Sequence, residues 1–355
     1  MADMEAVTHS PSSHAGATMY EVAQRAGVSV ATVSRLLNES GYVSARARGR
    51  VQTAMNDLGY EPNGLARSLA TRQSEMLALL LTDIANPFSA QIARGMQDAA
   101  QDAGYVPIIC SIDGDPTTEL KTVRMLRRKR VDGIILTPGQ GEQRQENSEA
   151  LRALAERGLP IVCVGRRLEG ATVDRVSTDT VAGARDAVDH LVALGHRRIG
   201  FVGGPFSRGV ALGRLEGYRD GLRRAGLAYD EAFVRQGELD EESGQREALA
   251  LLTAPRRPTA LLCVNDRTAF GVLAAAAELG LRVPHDLSVV GFDDVILASL
   301  VQPALTTVRQ PARELGQIAV RFLLQRITTP RGPSQSAVLP CLLVVRRSTG
   351  PPAPT

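Results

Sequence analysis

The chain beyond residue 75 alternates short apolar runs with longer segments in which apolar residues recur at helical spacing. Each run has the length of a strand, and several of the longer segments end at a glycine, as at Gly104, Gly158 and Gly195. Buried parallel strands joined by crossover helices have this form, so the pattern indicates an α/β body. The predicted strands are 77–81, 107–111, 133–136, 161–164, 199–202, 260–264 and 288–291.

The segment before this body has the pattern of two short helices. Thr18 and Glu21 have the spacing of a capping box, which predicts that a helix begins here. Gly27 should end that helix, and the Ser29 hydroxyl can cap a second one over residues 30–37. Two short helices around a glycine turn predict a helix-turn-helix.

In a helix-turn-helix, the second helix enters the major groove of DNA with its N-terminal residues. Val30, Ala31 and Arg35 point away from the apolar face and are therefore predicted to reach base edges. The predicted phosphate or sugar contacts are Ser29, Thr32, Ser34 and Asn38.

Composition and motifs exclude some kinds of functional site but do not identify the function. The net charge of +3 over 355 residues permits an anionic partner but does not require one. Four cysteines lie far apart among apolar residues, so neither disulfide nor metal-ligand spacing is present, and no metal or cofactor is expected. Phosphate-binding glycine loops and nucleophile elbows are also absent from the sequence, and Asp293 and Asp294 fit a strand-end loop better than an acid/base pair.

Longer runs of residues resemble the LacI/GalR family of transcriptional regulators. The head matches in residues 20–38 (YEVAQRAGVSVATVSRLLN). The body matches at 83–88 (DIANPF), 130–135 (RVDGII), 194–200 (LGHRRIG), 283–294 (VPHDLSVVGFDD) and 303–307 (PALTT). The resemblance covers residues 18–350 and implies an N-terminal all-α helix-turn-helix domain followed by an α/β two-lobed, periplasmic-binding-protein-like core with parallel sheets.

The resemblance also implies functional residues. Tyr20 joins the DNA contacts, and residues 63–70 would form a hinge helix that orders on the operator and wedges Leu69 into the minor groove. The other implied hinge contacts are Asn63, Ala66 and Arg67.

For the core, the resemblance implies a ligand site at the carboxyl ends of the strands. Its implied contacts are Phe88, Arg166, Arg214, Asn265, Asp293 and Gln310, and weaker candidates are Asp83, Asp179 and Arg208. The chain departs from relatives at Gly165, where an aspartate is common, and at Leu239, where several relatives have an aromatic ring.

The expected organisation has a disordered tail (1–17), a helix-turn-helix domain (18–62), a hinge and linker (63–75), a core (76–349) and a short tail (350–355). Lobe one is expected to hold about 76–165 and 311–337, and lobe two about 166–310 and 338–349. The polar start of the chain lacks the apolar stretch of a secretion signal, and no run is long enough to span a membrane, which favours the cytoplasm.

These features predict a homodimeric repressor that binds palindromic operator DNA under the control of a small molecule, most simply an inducing sugar. A purine-type co-repressor remains an alternative within the same class. A sugar-binding protein without DNA function and an α/β enzyme are rivals from other classes, but neither explains the head.

Overall fold

The computed structural model describes residues 17–38, 40–61, 73–113, 115–138, 145–168, 170–171, 173–205 and 209–353. The chain divides into two compact units, Met1–Ser74 and Glu75–Thr355. The first unit is the head and the second is the body.

The head contains the predicted helix-turn-helix and a third helix: α1 (Met19–Ala26), α2 (Val30–Leu37) and α3 (Ala45–Leu58). Thr18 and Glu21 form the predicted capping box, in which each side chain accepts a hydrogen bond from the other residue's backbone. Gly27 ends α1 in the left-handed conformation with φ of 62°. The Ser29 hydroxyl caps α2 through the amide of Thr32.

A small apolar core holds the three helices of the head together. Val22 and Val33 are fully buried, one on α1 and one on α2, and Val51 of α3 packs against them. Because all three lie on the inner faces of their helices, the opposite face of α2 is left for solvent or for a partner.

Two six-stranded sheets form the body, and all seven predicted strands are confirmed. The first sheet is parallel throughout, in the order β11-β5-β4-β3-β1-β2, and its strands are β1 (Met76–Leu81), β2 (Val106–Ser111), β3 (Gly133–Leu136), β4 (Ile161–Val164), β5 (Asp174–Thr178) and β11 (Ser336–Leu339). The second has the order β12-β10-β9-β8-β6-β7, and its strands are β6 (Ile199–Val202), β7 (Val234–Arg235), β8 (Ala260–Cys263), β9 (Ser288–Asp293), β10 (Thr306–Arg309) and β12 (Leu342–Val344). Within this sheet, β12 pairs antiparallel to β10 and the other pairs are parallel.

Helices cover both faces of each sheet, and each sheet with its helices forms one lobe. The helices of lobe one are α4 (Pro87–Asp102), α5 (Pro116–Arg128), α6 (Gln145–Glu156) and α11 (Ala312–Thr328). The helices of lobe two are α7 (Thr180–Ala193), α8 (Gly209–Arg224), α9 (Glu241–Leu252) and α10 (Asp266–Glu278). Such crossover helices allow neighbouring strands to run parallel. The carboxyl ends of the parallel strands, and the loops that follow them, therefore lie on one edge of each sheet.

The chain crosses between the lobes three times, and two of these crossings lie later than expected. β5 pairs with β4 in the first sheet, so lobe one extends to Thr178 and not to residue 165. β11 pairs with β5, so the last crossing follows Leu339 instead of residue 337. β5 contains a single apolar residue, Val176, and the apolar run of β11 is three residues long and ends before Pro340, so neither strand has the longer apolar run that marked the other strands.

Gly350 belongs to lobe two. The backbone oxygen of Gly350 accepts a hydrogen bond from the Ser288 hydroxyl at 3.0 Å and lies 2.9 Å from Nε2 of the buried His196. The lobe therefore reaches at least one residue beyond the expected end at 349. None of the helices in the described ranges combines the length and hydropathy that a membrane span needs.

Two glycines allow α4 and α11 to pack backbone to backbone in lobe one. A methyl group built on Gly95 would lie 1.9 Å from the carbonyl oxygen of Arg313, and one on Gly316 would lie 2.2 Å from that of Ile92. Since both obstacles are backbone atoms, they cannot move without separating the helices.

We therefore expect Gly95→Ala to destabilise lobe one by about 1–3 kcal/mol, the usual cost of overpacking. The measurement is the free energy of unfolding in urea. The matched control is Gln91→Ala, an exposed position on the same helix, which should change that free energy by less than about 0.5 kcal/mol. Equal effects of the two substitutions would contradict the close approach.

Candidate functional site

The exposed face of α2 carries the residues predicted to read bases. Val30 is 39% exposed, and Ala31 and Arg35 are also exposed. Arg35 forms no ion pair with a described carboxylate, so its guanidinium is available as a double donor. Tyr20 on α1 is 70% exposed.

The polar side chains beside this face are linked in pairs. The Ser29 and Thr32 hydroxyls lie 2.9 Å apart, and the Asn38 amide donates to the Ser34 hydroxyl at 3.2 Å. Each hydroxyl retains capacity for a further hydrogen bond, which a phosphate contact requires. The predicted hinge contacts Asn63, Ala66, Arg67 and Leu69 lie outside the described residues, and so does Arg208.

In lobe two, Arg214, Asp293 and Gln310 form one buried polar cluster. The Arg214 guanidinium donates to the Asp293 carboxylate at 3.1 Å, and the Gln310 amide donates to the same oxygen at 2.6 Å. Arg214 also donates to the carbonyl oxygen of Val264 and lies over the Phe292 ring, 4.0 Å from its centroid. The structure thus brings three of the six predicted ligand contacts into direct contact.

Asp293 occupies a strained backbone position at the end of β9, with φ of 113°. Its carboxylate is almost completely buried, and this burial raises the pKa of Asp293 to about 6, although Arg214 and Gln310 act to lower it. A buried carboxylate and guanidinium side by side offer acceptors and donors of fixed geometry, which suits recognition of neighbouring hydroxyl groups.

Asn265, another predicted contact, is 3% exposed, and both the oxygen and the nitrogen of its side-chain amide form hydrogen bonds. Its oxygen caps α10 through the amide of Thr268 at 2.7 Å, and its nitrogen donates to the carbonyl oxygen of Leu239 at 3.0 Å. Asn265 therefore fixes the loop that contains Leu239, and its amide has a second N–H and a second oxygen lone pair with which it can also bind a ligand.

Asp266, which the sequence reasoning did not select, lies directly behind this cluster. Its carboxyl oxygens accept hydrogen bonds from the Thr307 hydroxyl and from the amide of Val295 at 2.8 Å. Burial, reinforced by the nearby Asp293, raises the pKa of Asp266 to about 8. Its position next to Asn265 at the end of a buried strand is the sequence signal that could have identified it.

Thr178 connects the cluster to the first crossing between the lobes. Its hydroxyl donates to the side-chain oxygen of Gln310, which lies at the second crossing. Cys341, at the third crossing, interacts with Thr178 and with the charge of Arg214, and burial raises the pKa of its thiol to about 11. The three crossings and the polar cluster therefore form one connected region.

On the side of lobe one, Phe88 is half-buried in the first turn of α4, where it packs against the lobe-one core. The preceding loop reaches lobe two through an ion pair between Asp83 and Arg267, with 3.0 Å between the carboxylate and the guanidinium. Arg267 also donates twice to Glu241, at 2.9 and 2.7 Å. Asp83 is thus a contact between lobes in this conformation.

Arg166 does not belong to the polar cluster, which corrects its predicted placement. Its side chain is fully buried in lobe one and forms an ion pair with Glu119, which also accepts a hydrogen bond from the Asn147 amide at 3.0 Å. A buried charge must be paired, and Glu119 provides the partner for this guanidinium within lobe one.

Two further positions have structural explanations. The Asp179 side chain caps α7 through the amide of Ala182 at 2.9 Å. Gly165 adopts φ of 66°, a left-handed conformation that glycine reaches without steric cost. Among the described residues, no group of three or more histidine, cysteine or carboxylate side chains could hold a metal ion.

Comparison with family models identifies both units. Residues 18–63 match the model of bacterial regulatory proteins of the lacI family, and residues 188–349 match that of periplasmic binding protein-like domains. Among curated proteins, the transcriptional regulator DegA of Bacillus subtilis is 38% identical over 94% of this chain and 98% of that protein. The ribose operon repressor of Escherichia coli is 35% identical over 94% of this chain and 99% of that protein.

Comparison with solved structures leads to the same identification. The lac repressor dimer bound to operator and the anti-inducer ONPF is 33% identical, with a TM-score of 0.84 over 94% of this chain and 99% of that one. The complex of the transcriptional regulator CelR with cellobiose is 32% identical, with a TM-score of 0.70 over the same shares.

The raised pKa of Asp266 leads to a pH prediction. The folded protein keeps this proton up to about pH 8, whereas the unfolded chain releases it near pH 4, so this group makes folding less favourable as the pH rises between these values. Asp266→Asn mimics the protonated form, because its oxygen can accept from Val295 while its amide donates to Thr307. We expect the variant's thermal midpoint to fall less than that of the wild type between pH 5 and pH 8.

The control is Asp102→Asn, which changes an exposed carboxylate at the end of α4. Its pH profile should run parallel to that of the wild type. If Asp266→Asn also ran parallel to the wild type, Asp266 would not carry a raised pKa.

Proposed function

Because this chain belongs to the lacI family of bacterial regulatory proteins, we propose that it is a homodimer that represses transcription from a palindromic operator and releases it when a sugar binds between the lobes. Proteins of this family bind operator DNA through the head and respond to small-molecule effectors through the body. The observation that carries the proposal is the exposed face of α2, where Arg35 has no ion-pair partner among the described residues.

Arg35 supplies the sequence-reading contact in this proposal. A guanidinium can donate to O6 and N7 of guanine in the major groove, and such a pair discriminates against other bases by about 1–3 kcal/mol. The Ser29, Thr32 and Ser34 hydroxyls then hold the phosphates that set the position of the helix.

We expect Arg35→Ala to relax base preference at one position of each half-site and to lower operator affinity by about tenfold or more. The measurement is a titration with operator variants at stated salt, because phosphate contacts make affinity salt-dependent. Arg25→Ala is the matched control, since Arg25 is paired with Asp57 of the head at 3.2 Å. If the Arg35 variant kept the base preference of the wild type, Arg35 would not be a base-reading residue.

The effector site centres on Arg214, Asp293 and Gln310. Arg214 and Asp293 compensate each other's charge, which favours a neutral ligand with many hydroxyls, and Phe88 supplies an apolar surface for its C–H face. Gln310 and Thr178 connect this site to two crossings, so a ligand that displaces one of their hydrogen bonds changes the balance between lobe arrangements. A purine co-repressor is the second candidate, because the repressor PurR of Proteus mirabilis is also 35% identical over 94% of this chain.

Exposed apolar side chains on both lobes support the homodimer. In lobe two, Ile296 and Leu300 are 71% and 64% exposed around one short 3₁₀ helix (Ile296–Ser299). In lobe one, Val106 and Ile109 are exposed on β2, an edge strand of the first sheet. Contiguous exposed apolar groups and an unpaired strand edge are typical of surfaces that a second copy covers.

We therefore expect Leu300→Asp to convert the dimer into a monomer, since a carboxylate in an apolar interface loses its hydration without a partner. Analytical ultracentrifugation of the full chain measures this change. Arg224→Asp, an exposed position at the end of α8, should leave the dimer intact. A dimer in both variants would exclude Leu300 from the interface.

The experiment that tests the whole proposal is titration of the protein against its own upstream DNA, repeated with sugars, sugar phosphates and purines. Release of specific DNA by a sugar is the expected result, and Asp293→Asn should abolish the response to that sugar while leaving DNA binding intact. Binding that requires a purine would favour the co-repressor. Absence of specific binding in every condition would refute the assignment of the head.

The proposal includes two further statements. The protein acts by binding and not by catalysis, and it works in the cytoplasm, where operator DNA is located. Both follow from the regulatory role of the family, and the first would fail if the protein turned over the ligand that it binds.

A further inference from the structure

A groove lies between α5 and α6 on lobe one, outside the polar cluster described above. Its volume is about 560 Å³, within the range of sites that hold small molecules. Four arginines line it: Arg124, Arg127, Arg128 and Arg157. The first three come from the C-terminal half of α5, and the fourth follows the end of α6.

These four guanidinium groups have no carboxylate partner within the described part of the chain. All four residues are exposed, and none forms an ion pair with a carboxylate in the described ranges. Arg124 lies three and four residues before Arg127 and Arg128, so all three project from one side of the helix, where like charges destabilise it. The C-terminal helix dipole favours cations in the last turn but does not account for Arg124, one turn earlier.

The floor of the groove is apolar. It consists of Ala150, Ala153 and Leu154 of α6, which lie on one face of that helix at spacings of three and four residues. These side chains offer no hydrogen bond, so they can only cover an apolar or planar surface. The groove therefore combines strong anion donors with a smooth apolar surface.

We propose that this groove is a second ligand site, which binds a phosphorylated small molecule with a planar or apolar body, of the size of a nucleotide. Guanidinium groups donate two parallel hydrogen bonds to a phosphate and are the preferred partners of phosphate in proteins. Several arginines around one groove suit a group with more than one negative charge, such as a diphosphate. The planar body then covers Ala153 and Leu154.

Size and shape favour a small molecule over a DNA backbone as the occupant. A DNA strand would need basic residues along an extended track and would make no use of the apolar floor. A molecule of nucleotide size fills the groove and satisfies both parts of its lining.

The test is isothermal titration of the full-length protein, without DNA or sugar, with pyrophosphate and with ATP in the absence of added metal. Both probes should bind, and ATP should bind more tightly because its base covers the floor. Arg128→Gln and Arg157→Gln should each weaken binding by about tenfold or more, the usual loss for a charged hydrogen bond. The matched control is Arg224→Gln, an exposed arginine at the end of α8 in lobe two, which should bind both probes like the wild type.

Several results would overturn the proposal. Among these are absence of binding by the wild type, loss of binding at about 0.15 M salt, where exposed charges are screened, and equal affinity in all variants. Equal affinities for pyrophosphate and ATP would contradict the proposal that a planar body covers the apolar floor. If the arginine variants weakened DNA binding while neither small probe bound, the groove would instead be a DNA contact. Because the titration contains no operator or sugar, its failure leaves the proposed repressor function intact.

Discussion

The body is organised around a buried ion pair between Arg214 and Asp293. Burying these charges costs several kcal/mol per ion unless partners compensate them, so the surrounding elements must hold each group in place. Helix α8 supplies the arginine, β9 ends at the carboxylate, and the loop after β10 supplies the Gln310 amide. A single missing partner would leave a charge unpaired, which explains why these elements meet so closely.

The same ion pair lies where the chain passes between the lobes. Gln310 is at one crossing and accepts from Thr178 at another, while Cys341 lies at the third. A ligand that contacts Asp293 therefore reaches the crossings through only two hydrogen-bonded side chains. Allosteric coupling requires two arrangements of the lobes between which an effector can discriminate, and a connection of this kind is one way to carry it.

The head is a smaller unit, and its stability depends on how three short helices are capped and packed. Its three short helices would not be stable alone, since isolated helices of this length are marginal in water. Caps at Thr18 and Ser29 satisfy the first backbone amides, and one small core buries the inner faces. The exposed face of α2 is thereby held rigid, which a base-reading surface needs.

Local sequence determined those features that depend on neighbouring residues: the capping box, the glycine turn, the continuous apolar strands and the identity of the α2 face. It did not determine β5, β11 or the positions of the crossings, because a mostly polar strand and a very short apolar one are recognised only by their pairing. Nor did it reveal that Arg166 turns to Glu119, or that Asp266 lies behind Asp293, since both contacts join residues distant in the chain. Burial and charge pairing are decided by the tertiary structure, which brings such residues together and sets the cost of each buried charge.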